Sequence, residues 1–380
     1  MDATLSLRRS VLWGLLAAKA IAGIGVGWDI RWHIVIGRDS FWIPPHVMTY
    51  SGVALITMLS LVVLARETWL ARRGQAPRDS LRIAGLVGSR GYHLAWWGIA
   101  LTIIAAPIDD LWHRLFGIDV TLWSPPHLLG LAGAQVNSLA CLLIAREAWP
   151  EGGRARAVAF ALSGLLLFSG LQTAVDPSLR TAFLYGGVRF FTFAMLGALF
   201  FTFTLLLTSR LARSRAVPLV VGIGGVVLQL AAIGVGDVGM AILQPTPDLG
   251  DALSDPASPI AVAHEIARRN GATPGRGFTT RLLPVVPALL MVLFDARRRP
   301  LLAGIACGLG LYAVNAFMLL RSPAFAHVHP DALDALVALA VTTMAAALST
   351  LAALAFERRV STAARDTRLP SAPLPVTRAI

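Results

Sequence analysis

The chain has 380 residues, of which 56% are hydrophobic and 14% charged. Soluble domains carry about 25% charged residues, so this balance excludes a soluble enzyme, a disordered chain and a disulfide-built secreted domain. The net charge of +12 does not signal nucleic acid, because the basic residues lie between apolar runs and not on one soluble face.

A spanning helix needs roughly 20 mostly apolar residues. Ten segments qualify, at 10–36, 44–66, 92–116, 125–146, 157–175, 186–209, 217–244, 279–296, 300–320 and 331–356. The first runs on into polar residues of functional character, so it reads as a mature helix and not as a cleavable signal peptide. No strand-period alternation suggests a barrel. The predicted fold is an all-α, polytopic membrane bundle of about ten helices. Cys141 and Cys307 fall inside apolar runs and form no CxxC pair, so they read as small buried side chains.

Arginine sets the orientation. With the first segment starting in the cytoplasm, 22 arginines fall on the termini and even-numbered joints and nine on the opposite joints. Positive charge stays inside, so both termini are expected in the cytoplasm of an inner-membrane protein. Residues 1–150 read as a four-helix unit of two hairpins, 10–66 and 92–146. Residues 151–357 read as additional helices with an outer loop at 244–277, and 358–380 as a disordered cytoplasmic tail. In that loop Ser258-Pro259 predicts a helix start and Asn270-Gly271 a stop. The expected element is a short helix on the outer surface, acting as a lid.

The two hairpins repeat one another. The first contains Asp29, Trp32, His33, Gly37-Arg38-Asp39 and Pro44-Pro45-His46; the second contains Asp109, Trp112, His113, Gly117-Ile118-Asp119 and Pro125-Pro126-His127. Aspartate and histidine four apart share one helical face. A short joint then returns the chain, and Pro-Pro opens the next helix, with the second histidine in its first turn. Each hairpin thus predicts one carboxylate and two imidazoles converging at the outer face. One such residue at a helix end usually meets only water or headgroups. Three at ligand spacing, twice over, point to metal. Two imidazoles and a carboxylate suit copper, zinc or non-haem iron. The ligand set does not choose among them, although an extracytoplasmic site favours copper or zinc.

These residues carry a resemblance. Asp29, His33 and His46, spaced x3 and x12 with Arg38-Asp39 before the prolines, resemble the copper site of the C subunit of particulate methane and ammonia monooxygenases. That family carries a second site with the x3 and x13 spacing of Asp109, His113 and His127, with asparagine where this chain has Asp109. The likeness covers about the first four helices. It implies a copper-binding membrane scaffold, with oxygen activation at Asp29, His33 and His46. The family enzyme also works with partner subunits, including cupredoxin domains that nothing here resembles.

Other polar residues are weaker signals. Asp110, Asp39 and Asp119 are candidates to support the triads from outside. Asp237 and Asn315 lie in the outer halves of apolar helices and could line a cavity or simply bond to neighbours. His264, His327 and His329 fall in outer joints and read as solvated, and His93 sits at the inner face with no assigned role. The tryptophans near the triads fit an interfacial belt. No phosphate loop, GxSxG or HExxH motif occurs.

The leading expectation is a copper-dependent monooxygenase or monooxygenase subunit. It would hydroxylate a small apolar substrate with dioxygen, in the bilayer, with partner subunits or as a homo-oligomer. The alternatives are a copper or zinc binding or transport protein without catalysis, and a zinc-dependent hydrolase using Asp110 as base.

Overall fold

The computed structural model describes residues 3–37, 40–116, 121–277 and 279–366. The first hairpin is α1 (Ala3–Val35) and α2 (Pro44–Arg72). A β-hairpin, β1 (Ser80–Ile83) with β2 (Leu86–Ser89), leads into the second, α3 (Arg90–Phe116) and α4 (Pro125–Ala148). Then come α5 (Arg154–Val175), α6 (Ser178–Tyr185), α7 (Thr192–Ala212), α8 (Val217–Leu243), α9 (Gly250–Ser254), α10 (Pro259–Arg269), α11 (Val285–Leu293), α12 (Pro300–Leu320) and α13 (Ala332–Asp366). Nine helical segments among the described residues are long and apolar enough to cross a membrane. The chain is an all-α polytopic bundle.

The two hairpins close by the same contact. A Cβ at Gly52 would lie 2.7 Å from the Ala22 nitrogen and 2.8 Å from the Ala18 oxygen. A Cβ at Gly133 would lie 2.7 Å from both the Thr102 nitrogen and the Gly98 oxygen. These are equivalent positions in the repeat. Small residues let membrane helices approach backbone to backbone. Both α2 and α4 begin with Pro-Pro after an extended cap residue, Ile43 and Ser124. Proline disfavours helix in the residue before it and suits the first turn, so the chain reverses where the motif demands.

Buried charge ties the hairpins together. Near the start of α1, Arg8 bonds Glu67 through Nε at 2.7 Å and Nη2 at 2.8 Å, and Asp79 through Nη1 at 2.6 Å. Deeper in, Lys19 Nζ donates to the Ala134 carbonyl at 3.0 Å and to Asn137 Oδ1 at 3.1 Å, while Asn137 Nδ2 donates to the Ala95 carbonyl. Asn137 therefore joins α1, α3 and α4.

The expected eighth span, 279–296, departs from a simple helix. It contains a 3-10 turn at Thr279–Leu282 and the nine-residue α11. Nine residues rise only about 14 Å. The segment nonetheless runs the length of α8 in the opposite direction. Arg276 pairs with Asp237 at 2.8 Å, and Arg281 Nη1 donates to Gln229 Oε1 at 2.9 Å. Ala288 packs at Gly222, and Arg215 donates to the carbonyls of Val292 and Leu293. The expected eighth span is thus a broken segment packed along α8 and not a continuous helix. Irregular backbone at membrane depth is tolerated where protein surrounds it, and Arg276 and Arg281 are the side chains that fasten it to α8.

A second correction concerns the tail. Helix α13 continues to Asp366, past the expected end at 356. The stretch 358–366 is helical and not a disordered tail, and 367–380 lie outside the described residues.

The glycine contact gives a direct test. Gly133→Val should force α3 and α4 apart at a cost of about 1–3 kcal/mol and lower the thermal unfolding midpoint in detergent. Gly130→Ala, whose Cβ would meet the Ala105 Cβ at an ordinary 3.5 Å, should leave that midpoint unchanged.

Candidate metal centres

Both triads assemble at the same end of the bundle. In the second, His113 Nε2 lies 3.4 Å from Asp109 Oδ2, and His127 Nε2 lies 3.4 Å from Asp109 Oδ1. One ligand atom from each residue falls within 4.8 Å of the others. Among the described residues no other group of three acidic, histidine or cysteine side chains converges in this way. The imidazole of His127 is oriented from behind, since its Nδ1 donates to the Thr121 carbonyl at 2.7 Å. That bond directs Nε2 at the carboxylate.

The first triad shares most of this plan. His46 Nε2 lies 3.1 Å from Asp29 Oδ1, and His46 Nδ1 donates to the Ser40 carbonyl at 3.0 Å. Ser40 and Thr121 occupy the same place in the repeat. His33 differs. Its Nδ1, and not Nε2, faces Asp29, at 3.5 Å from Oδ1 and 3.0 Å from the Asp29 carbonyl oxygen. The first triad is therefore assembled but less convergent than the second.

The donor chemistry fits a cation. A ring nitrogen that donates to a carbonyl leaves the opposite nitrogen of a neutral imidazole as a lone pair. At His46 and His127 that lone pair faces a carboxylate oxygen. Asp29 Oδ1 and Asp109 Oδ1 are both buried and receive no hydrogen bond from a described residue. Facing lone pairs repel unless a positive charge lies between them, whether a metal ion or a second ring proton. A hydrogen bond from behind the ring is also the usual support of a metal-bound histidine. The residues present fit a transition metal bound by two imidazoles and a carboxylate, with coordination positions left for other ligands.

The supporting candidates separate. Asp110 does not join the second triad. Its Oδ2 pairs with Arg114 Nη2 at 2.8 Å on the exposed side of α3, because adjacent helical residues diverge by about 100°. Asp39 and Asp119 lie outside the described residues. Asp237 forms a close pair with Arg31 as well as with Arg276. Arg31 also donates to the Ile233 carbonyl at 2.9 Å. It sits between Asp29 and His33 in sequence but on the other face of α1, and it locks that face to α8. Gly236 and Gly239 beside Asp237 make room for the Trp28 ring. Sequence reasoning gave Arg31 no role; an intramembrane arginine was the available signal.

The 244–277 loop covers the triad end. Ser258 Oγ accepts from the Ala261 nitrogen at 3.0 Å, and α10 stops before Asn270-Gly271, as expected. Two contacts fix this cover to the end of α1. The Asp248 nitrogen donates to the Ile36 carbonyl at 2.7 Å, and His264 Nε2 donates to the Ile34 carbonyl at 2.7 Å. His327, read as solvated, is exposed yet hydrogen-bonded at both ring nitrogens. It donates from Nε2 to the Phe183 carbonyl and accepts from Arg269 Nη1 at 2.9 Å through Nδ1. Asn315 is buried and donates to the Phe190 carbonyl. His93 lies far from both triads, within 3.1 Å of the Leu81 carbonyl.

On α10, hydrogen bonds from Arg268 and then Arg269 hold the Glu265 carboxyl at about 2, below its ordinary 4.5. A depressed carboxyl adds stability that is complete above the ordinary value and lost only as pH falls through the lowered one. The protection of α10 amides from hydrogen exchange, corrected for intrinsic rates, should therefore hold from about pH 7 to about pH 5 and fall progressively below that. Glu265→Gln should lower it across that range.

No known protein family, curated protein or solved structure matches this chain.

Proposed function

We propose that the chain is a membrane-embedded metalloprotein that binds a transition metal at Asp109, His113 and His127 and a second at Asp29, His33 and His46. The convergence of the second triad within 4.8 Å carries this reading. The repeated plan of the first supports it. The nine spans place the protein in a lipid bilayer. The arginine distribution favours an inner membrane with the triads on the outer side.

The finer reading is copper-dependent oxygen chemistry on a small, largely apolar substrate. Bound copper would supply dioxygen activation at a position left open by three protein ligands. The chain's own residues have distinct parts in this. The Ser40 and Thr121 carbonyls hold the imidazoles of His46 and His127 in the coordinating orientation. Asp29 and Asp109 offset the cation's charge. Trp28 and Trp32, both buried, close the first triad on the α8 side against water. Electrons would come from a partner, and zinc or iron would fit the same ligands.

A transport reading has one observation in its favour. Arg276, Asp237, Arg31, Arg281 and Gln229 form a polar line that descends from the triad end along α8. Metal uptake into vesicles without oxygen consumption would favour it.

The test is metal analysis of the purified protein after reconstitution with copper or zinc. Wild type should retain metal through gel filtration. His113→Ala/His127→Ala should lose the more tightly held equivalent, and His33→Ala/His46→Ala the other. Wild-type protein that elutes metal-free would end the metalloprotein reading. Oxygen-dependent product from the copper-loaded form, abolished in the variants, would support the oxidative one.

A further inference from the structure

The end of the bundle away from the triads carries an ordered stripe on α2. Leu55, Met58, Val62, Arg66, Trp69 and Arg73 follow one another in steps of three and four, so they share one face. All six are exposed, because α2 packs on α1, α3 and β2 with its other sides. Leu55, Met58 and Val62 belong to the apolar spanning stretch Pro44–Arg72. From Leu55 to Arg66 the helix rises about 16 Å, close to the hydrocarbon depth of one leaflet, about 15 Å. The stripe therefore runs along one leaflet to the headgroup level, where apolar side chains give way to two arginines and an indole.

Arg66 and Arg73 are available to an anion. The Arg73 guanidinium lies 3.9 Å from the centroid of the Trp69 ring, which folds it back along α2 toward Arg66. Arg66 makes no hydrogen bond or ion pair, and neither do the neighbouring Arg72, Arg78, Arg82 and Arg90. The carboxylates of this region are already taken. Glu67 and Asp79 both bond Arg8, and Glu147 accepts from Ser89 and the Gly91 nitrogen. Residues 66–90 are all described and hold six arginines against Glu67 and Asp79. Asp2, outside the described residues, adds one negative charge and does not cancel that excess.

Guanidinium and phosphate make charge-assisted, paired hydrogen bonds, which are strong ones. A phosphate here would sit directly above the apolar part of the stripe, where an attached acyl chain would run. A phosphocholine headgroup would bring its own cation among these arginines; a glycerol headgroup brings none.

We propose that this face of α2 binds an anionic phospholipid. The phosphate lies between Arg66 and Arg73, and an acyl chain follows Val62, Met58 and Leu55. The site goes beyond the metalloprotein reading and does not depend on it.

The experiment is native mass spectrometry of the full chain in a neutral detergent. The probes are dioleoylphosphatidylglycerol and dioleoylphosphatidylcholine, which share their acyl chains. Wild type should bind one phosphatidylglycerol about tenfold more tightly than the choline lipid. Arg66→Gln/Arg73→Gln should remove that preference. Trp69→Leu should weaken it about threefold, because Arg73 loses the ring that holds it. Arg298→Gln/Arg299→Gln takes the same charge from the start of α12, which does not pack on α2, and should keep the preference. All these positions are exposed, so each variant should unfold at the wild-type midpoint in lipid-free detergent. Glycerol 1-phosphate, the headgroup without chains, should not displace the lipid. Equal affinity of wild type for the two lipids would overturn the proposal. So would a preference that survives in the Arg66/Arg73 variant, or one lost equally in the Arg298/Arg299 variant. Displacement by glycerol 1-phosphate would overturn it too, by reducing the site to one for free phosphate.

Discussion

The backbone contact at Gly52 and at Gly133 is the constraint from which the triad end follows. An imidazole in the first turn of one helix reaches a carboxylate on the last turns of its neighbour only if the two axes are close. At Gly52 and Gly133 no side chain separates the helices, and the neighbouring backbone lies where a Cβ would be. The Pro-Pro starts of α2 and α4 fix where each hairpin turns. Together they place His46 beside Asp29 and His127 beside Asp109.

Paired charge inside the bundle occurs at three depths. Arg8 holds Glu67 and Asp79 at the end away from the triads. Lys19 donates its bonds to a carbonyl and an amide oxygen at middle depth. Arg31 and Asp237 pair close to the triads. A buried ion without a partner is costly, so each pair also fixes which helices are neighbours. The triad carboxylates break this pattern. Their Oδ1 atoms are buried beside nitrogen lone pairs with no proton donor of good geometry. The two Oδ1 atoms occupy matching places in the repeat, each beside the Nε2 of the second histidine of its hairpin.

Much of the triad end was legible in the sequence, because its signals are local. Spacing of four puts Asp and His on one face, prolines mark the helix starts, and Ser258-Pro259 with Asn270-Gly271 delimits the cover helix. What was not legible depends on distant partners. Arg31 finds Asp237 across some 200 residues of chain, and no local pattern announces that. The broken segment shows why composition misleads. The stretch 279–296 is apolar enough to suggest a helix, yet Arg281 reaches Gln229 on α8 and the first third of the segment is a tight turn. Asp110 was within reach of reasoning, since a residue next to Asp109 must point elsewhere. The ring orientation of His33 was not, because a histidine can present either nitrogen from the same backbone.

The broken segment through α11 also decides where the described chain ends. It returns the chain along α8 before α12 and α13 follow, so the last turns of α13, where Glu357 pairs with Arg210, lie at the same end of the bundle as Arg8 and away from the triads. A label near Arg8 and one near Glu357 would therefore report on one and the same end of the molecule.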